Sequence, residues 1–533
     1  MRQADQVAGP MHPPFFMIQQ RVAVCFLICI ILSISTTGTF AQQQQQPGGQ
    51  QPLRAVGDQQ VGLLGPQLGL GGGGGAQADF DSLIDLIQST VAPDSWSDNG
   101  TGEGSIAPMT ISGVFVDAAG TLSFAQANAS PAALPQLGRA PAPRTAADVR
   151  QSSSLRFVSL PRLEACIVDR QRRHLPLDPE MLTLAGLQRI EYVMVDPDSG
   201  DLVLAGPASD WQPRADGTIV SVETGQAIVR LDDLLTLWRR PAGSFGCSIN
   251  PRQEALARTQ QVVRNSRSQP LEPGQRKQWL AELRDSLGKQ DVEFFDLQPD
   301  SHVARVLLVA DYHMKLIGMG LAEGVPGVQS YLKSVQLAAD GSLPPMTVLR
   351  WWFAMHYQPV ECSPQRTVFR LTGPGVQVLS ENELLAARGQ RVHTGQSEEL
   401  NLRFARSFSE SIDQLCLAYP IYGELRNVFD LSLVLALIES EGLLERVGWQ
   451  PSCFADSAAL RLPKLSIPRE VDTVINHRVI GRKHIIAGVS GGVWIDPGSA
   501  LRSRVSAEGK LAELKPPTNA SANDEPSQPW WWD

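Results

Sequence analysis

Clustered basic charge is missing from this chain. Basic pairs such as Arg172-Arg173 and Arg239-Arg240 stand isolated, and a net charge of -9 with a pI near 5.5 leaves no phosphate-binding stripe. Nucleic-acid binding is excluded on that ground, because phosphate contacts need grouped Lys and Arg. C-x-x-C is absent too, which removes a zinc ribbon or a thioredoxin-like site. Gly318-x-Gly320 has no third glycine at the dinucleotide spacing, and no lysine sits in a G-K-[ST] context. The Asp-rich turns lack the ligand spacing of an EF-hand. No cofactor and no metal are therefore expected.

Cysteine is scarce. Of seven, Cys25 and Cys29 fall in an apolar leader and outside a lipoprotein cleavage context. That leaves Cys166, Cys247, Cys362, Cys416 and Cys453, an odd number, so at least one thiol stays unpaired within the chain. Cys166 with Cys247 is one pairing that the sequence leaves open.

What is present begins with that leader. Arg21 precedes an almost wholly apolar run, Val22 to Ile34, and Thr39-Phe40-Ala41 comes next as a small-residue cleavage pattern. Residues 1–41 are expected to be a signal peptide, with Met17 as an alternative start. The protein is then periplasmic or extracellular. The competing reading is an uncleaved anchor through residues 22–41, which approach the roughly 20 residues that span a bilayer. It would give the chain its one membrane contact.

With 533 residues and 43% hydrophobic content the chain can bury more than one core. Residues 42–78 are Gln-, Gly- and Pro-rich, a disordered tether. Residues 79–126 suggest a small helix plus hairpin, the helix on Phe80, Leu83, Ile84 and Ile87 and the hairpin in Ser112 to Ala125. Residues 127–154 form an Ala/Pro/Ser linker. Its Asn128 shares the glycosylation sequon with Asn99 and Asn519, a pattern common by chance in Ser/Thr-rich stretches.

Residues 155–250 suggest an α+β unit: a helix through Leu163 to Arg172, a hairpin at Tyr192 to Gly206, strands near Ile219 and Ile228, and a helix from Leu231 to Trp238. Residues 270–504 suggest the main α+β domain. It opens with an amphipathic helix at Gln275 to Leu287 and continues through strands in RWWFAMHY, TVFRLTG and VQVLS. A helical hairpin comes after them, turning at Pro420, with one helix from Leu402 to Tyr419 and a second from Leu425 to Leu444. VQLAADGSL at Val335 to Leu343 is a looser copy of the hairpin grammar. Residues 505–533 are a polar tail ending in Trp530, Trp531, Trp532 and Asp533, aromatic enough to dock on a partner. The fold class is α+β, with mixed or antiparallel sheets, β-hairpins, a C-terminal helical hairpin and disordered terminal tails.

Chemistry-bearing residues gather at VARVLLVADYHMKLIGMGLAEG. Val303 to Ala310 is apolar at nearly every position and reads as a strand buried on both faces. Asp311 would then cap a short helix from Tyr312 to Leu321, stopped by Gly324 and Pro326. In an open α/β sheet that strand edge binds ligands, which makes Asp311, His313 and Lys315 the ligand-site candidate. The ordinary alternative is an i,i+4 ion pair between Asp311 and Lys315 beside a core histidine.

Gly488-Val489-Ser490-Gly491-Gly492 matches the nucleophile elbow G-x-S-x-G, so Ser490 is the one catalytic candidate, for an extracytoplasmic serine hydrolase. Beyond Gly492 the residues VWIDPG read as strand and turn, where an elbow needs a helix. His477 and His484 precede the serine, and no histidine comes after it. A glycine-rich bulge explains the same residues. No enzyme is expected; a non-enzymatic binding or cell-envelope-associated protein with an unknown envelope or extracellular partner is.

DLIQSTVAPDSW, GLQRIEYVMVDPDSGDLVLAGPASDW, ADYHMKLIGMGL, LTGPGVQVLSENE and YPIYGELRNVFDLSLVLALI together resemble an uncharacterised, planctomycete-type family of exported bacterial proteins, domain of unknown function 1598. The resemblance covers most of Leu155 to Pro497. It implies an extracytoplasmic location and transfers no activity, cofactor or site residue.

Overall fold

The computed structural model describes residues 29–32, 105–109, 113–117, 149–268, 275–336, 348–385, 391–480, 483–502, 506–507, 509–514 and 529–533. In chain order, β1 (Cys29–Leu32) precedes β2 (Ser153–Ser159), α1 (Leu160–Arg172) and the hairpin β3 (Tyr192–Asp196) and β4 (Asp201–Ala208). Then come α2 (Leu231–Trp238), β5 (Phe245–Pro251), α3 (Gln253–Ser268), α4 (Gln275–Leu287) and β6 (Lys289–Phe295). Helix α5 (His302–Met319) leads to β7 (Val348–His356), β8 (Glu361–Cys362), β9 (Val368–Arg370), β10 (Gly375–Leu385) and β11 (Arg391–Val392). Helices α6 (Glu399–Glu410), α7 (Ile412–Ala418) and α8 (Pro420–Ser440) precede β12 (Glu470–Asp472), β13 (Ile475–Ile480), β14 (Lys483–Ile495), β15 (Ser506–Ala507) and β16 (Trp531–Trp532).

Two sheets organise these elements, and the fold is α+β. The first runs β11-β10-β7-β14-β5-β6-β12, with β1 and β13 paired to the first half of β14. All its pairings are antiparallel except β7 with β14. The second runs β15-β8-β9-β3-β4-β2-β16. Its outermost strands, β15 and β16, both come from the segment beyond residue 505. Two ribbons stand apart, Ser105–Met109 with Gly113–Asp117 and Trp211–Pro213 with Ile219–Ser221.

Helix α5 lies between the first sheet and α8, and it is buried from His302 to Met319 except at Arg305 and Val309. This corrects the expected strand at Val303 to Ala310. A helix that is apolar on every side reads, residue by residue, like a strand buried on both faces, so periodicity cannot separate the two. The caps do: Ser301 accepts from the Ala304 amide at 3.2 Å, and Gly320, at φ 72°, ends the helix. Asp311 is therefore a mid-helix residue and not an N-cap, and the stop falls at Gly320 rather than at Gly324 and Pro326. Gly318 brings the helix close to the sheet, because a Cβ there would stand 2.2 Å from the Trp351 ring.

Elsewhere α2 and α4 match their expected ranges residue for residue, and the hairpin of β3 and β4 forms at its expected turn. The long helix expected up to Tyr419 is two helices broken at Ser411, and α8 begins at Pro420 itself, which suits a first-turn proline. Phe408 and Phe429 are both fully buried. The strand expected near Ile228 is a single bridge, Val220 to Ala227. The expected helix after residue 79 and the second arm of the hairpin after residue 117 lie outside the described residues. So do the looser hairpin copy beyond residue 336 and most of the leader. Cys166, Cys362, Cys416 and Cys453 are free thiols, so Cys166 and Cys247 form no bridge with one another. Among the described residues no helix is long and apolar enough to cross a membrane.

Candidate functional site

The structure brings the candidates Asp311, Lys315 and Ser490 to one place, where α5 crosses β14, and that place is sealed. Asp311 and Lys315 are each 0% exposed. Lys315 Nζ lies 2.6 Å from Asp311 Oδ2, the i,i+4 pair expected from their spacing. Burial raises the Asp311 carboxyl above the usual range, while Lys315 and the Gly492 amide pull it the other way. Gly491 makes room for the contact, since a Cβ there would stand 2.9 Å from Asp311 Oδ1 and 1.8 Å from the Trp351 carbonyl oxygen. No strand edge exists at Asp311.

His313 points to another side of α5, where its Nδ1 shares a 2.8 Å hydrogen bond with Tyr422 Oη and its ring lies edge-on to Tyr419 at 4.6 Å. Burial pushes His313 down to about 3, so the imidazole stays neutral through the ordinary pH range. It is a core histidine, set apart from the pair of Asp311 and Lys315.

Nothing around Ser490 supports the hydrolase alternative. It is 0% exposed, lies mid-strand in β14, and its hydroxyl donates at 3.5 Å to the Leu349 carbonyl. β14 continues as strand to Ile495, so no helix amide faces the hydroxyl as an oxyanion donor would. His484 is six residues up the same strand, about 20 Å away at the strand rise, and His477 pairs with Ile486 about 13 Å away.

A second polar cluster forms at the other end of α5, and it was missed from sequence. Asp232 and Asp233 sit in the first turn of α2, where the helix dipole favours carboxylates. His302 is the first residue of α5, and Glu424 lies near the start of α8. His302 Nδ1 meets both oxygens of Asp233 at 2.9 and 3.1 Å. Its Nε2 faces Glu424 Oε1 across 3.6 Å, longer than a hydrogen bond. Arg305 Nη1 is 3.9 Å from Glu424 Oε2, and Arg230 holds Asp232 through two bonds of 2.9 and 2.8 Å.

Glu424 is buried with neither oxygen hydrogen-bonded, and His302 Nε2 also lacks a partner. Burial, helped by Asp233, pushes Glu424 up to about 7 against the pull of His302 and Arg305. For His302, burial works to lower the pKa, but Asp233 and Glu424 more than offset it and the net shift is upward. Arg230 outweighs burial at Asp232 and holds it below the usual carboxylate range. One donor atom from each of Asp232, Asp233 and His302 falls within 4.8 Å of the others. The contributing residues are spread from position 232 to position 424. The one local signal was Asp232-Asp233 at a helix start, which any solvated first turn also shows.

A family model described as a protein of unknown function, DUF1598, matches residues 247–331. The matched stretch runs from within β5 through the whole of α5, so it includes His302 and Asp311 but neither Asp233, Glu424 nor Ser490. No curated protein and no solved structure matches the chain.

Proposed function

We infer that this is an exported, non-enzymatic binding protein of the cell envelope, and that it holds extended polypeptide at the edge of its second sheet. The apolar leader with its cleavage pattern at Ala41 supports export. The observation that carries the binding reading is the seat of the segment 530–533. Trp531 and Trp532 pair antiparallel with Val158 and Phe157 of β2, and the Ser159 amide donates to the Trp530 carbonyl at 2.9 Å.

Side chains add recognition to this backbone pairing. Trp532 stacks on Phe157 with centroids 5.9 Å apart and an interplanar angle of 12°. The Arg156 guanidinium lies over Trp531 at 4.8 Å, and Arg162 lies over Trp532 at 5.2 Å. Arg156 also grips the Asp533 carboxylate in a fork, Nε to Oδ1 at 2.7 Å and Nη2 to Oδ2 at 2.8 Å. Its remaining bonds go to the carbonyls of Val149, Gln151 and Ala185, which fix the fork in place. Strand addition of this kind draws affinity from the backbone and specificity from side-chain seats. An envelope or extracellular protein presenting an aromatic, acid-bearing strand has the chemistry that fits.

The test uses protein truncated before Pro529 and a fluorescent peptide of the sequence Pro-Trp-Trp-Trp-Asp. Saturable binding to truncated but not to full-length protein is the expected result, with at least tenfold weaker binding when the peptide's Asp is replaced by Asn. Equal or absent binding to both proteins sinks the proposal.

A further inference from the structure

The geometry points to a divalent transition-metal site between helices α2, α5 and α8, with His302 Nε2 and Glu424 Oε1 as protein ligands and Asp233 as the group that orients the imidazole. It is independent of the strand-binding reading, because it lies at the head of α5 and shares no residue with β2 or segment 530–533. Three features carry it, beginning with the acidic cluster already described.

Glu424 is 1% exposed, its oxygens have no hydrogen-bond partner, and Oε1 is aimed at the unpartnered Nε2 of His302. A buried, unpartnered carboxylate is costly, and proteins retain one where it meets a charge. The gap itself is the second feature. At 3.6 Å it is longer than a hydrogen bond and near the roughly 3.4 Å that separates two ligands on one tetrahedral ion with bonds of about 2.1 Å. The third feature is the contact on the far side of the ring. Asp233 at 2.9 Å from Nδ1 accepts the ring proton there, which leaves Nε2 as a lone-pair donor toward Glu424. Carboxylate–histidine–metal arrays have this order.

Charges around the site permit a cation. Arg230 is neutralised by Asp232. Arg305 sits on Oε2, leaves Oε1 free and is anchored through Nη2 to the Asp216 carbonyl at 2.7 Å. The positive ends of α2 and α5 oppose a cation, but the carboxylates of Asp232, Asp233 and Glu424 outnumber the two arginines. One imidazole and one carboxylate suit Zn²⁺ best among common ions.

The experiment loads untagged full-length protein with Zn²⁺, removes excess by gel filtration and counts the retained metal by mass spectrometry. One ion per chain is expected for wild type. His302→Phe and Glu424→Gln should each lower zinc affinity at least tenfold, and Asp233→Asn should weaken it by about 10- to 100-fold through the ring orientation alone. X-ray absorption on zinc-loaded wild type does not depend on how the variants fold, and it should show one imidazole and only N/O neighbours. Failure of wild type to retain zinc, wild-type affinity in both ligand variants, or sulfur in the zinc shell would each overturn the site.

Discussion

The two polar groups to which α5 contributes each set a basic side chain against a carboxylate and behave in different ways. In the middle of the helix Asp311 and Lys315 meet as an ion pair at 2.6 Å with no exposed surface. At its head, His302 meets Asp233 closely but leaves 3.6 Å to Glu424, whose carboxylate has no hydrogen bond. The difference lies in where the partners come from. The first pair is made within one helix, four residues apart, and its geometry is set by the helix itself. The second needs three helices to arrive together, and the packing of those helices leaves the gap between Nε2 and Oε1. One helix alone sets the first contact, whereas the packing of three helices sets the second.

Mutation should break that contrast most sharply at Lys315. Lys315→Met strands the Asp311 carboxylate in the core and should cost about 3–5 kcal/mol by denaturant unfolding. The double variant Asp311→Leu/Lys315→Met should return to wild-type stability or above it, since a buried pair replaced whole by apolar groups is often neutral or stabilising. Glu424→Gln, at the open end, removes a charge that has no hydrogen bond and only the longer contacts to His302 and Arg305, and should cost under about 1 kcal/mol in metal-free protein. If Glu424→Gln were as damaging as Lys315→Met, the two ends of α5 would be alike and the contrast would fail.

The same distinction between local and assembled structure decides how much was legible in the sequence. Leu231–Trp238 and Gln275–Leu287 were readable to the residue, because each carries its own apolar stripe between its own breaks. The ion pair of Asp311 and Lys315 was readable from its spacing. The helix around them was not, because VARVLLVA is apolar on all sides in either conformation and the deciding signal, Ser301, lies outside the apolar run. Ser490 and its glycines fit two stories in sequence, and the neighbouring strand backbones decide between them. His302, Asp233 and Glu424 carry no shared spacing, so nothing short of the tertiary fold could unite them.

A pH titration sharpens the comparison through His313, the other sealed group on α5. Its folded pKa is lowered to about 3 from an ordinary value of 6.5, so the unfolded chain takes up a proton below pH 6.5 that the folded chain refuses. The stability this neutral histidine contributes is complete above pH 6.5 and is lost as the pH falls toward 3. Between pH 6.5 and 5 the loss should be about 2 kcal/mol. His313→Leu should lack that acid-dependent slope even if it is less stable overall, and the difference between the two profiles isolates the histidine from the carboxyls that titrate nearby. Parallel profiles for wild type and variant would show that His313 is accessible to protons in the folded state.

A small effect is expected at the boundary of the helix, and it separates two accounts of where α5 begins. If the helix began after Asp311, Asp311→Asn would be harmless, because a cap asks only for a side-chain acceptor. With the cap at Ser301, which accepts from the Ala304 amide and donates to the Gln298 carbonyl at 2.7 Å, the harmless replacement moves there. Ser301→Ala should cost about 1 kcal/mol, and Ser301→Asp should recover most of it, helped by the helix dipole. Asp311→Asn keeps the shape but leaves Lys315 buried without its counter-charge, so it should be the more damaging of the two. Amide exchange locates the effect: Ser301→Ala should loosen protection at Val303 and Ala304 while leaving the amides around Lys315 unchanged, since fraying stays in the first turn. Unaltered exchange in the first turn of Ser301→Ala, together with a harmless Asp311→Asn, would return the start of the helix to Asp311 and remove His302 from the junction where α2 and α8 meet it.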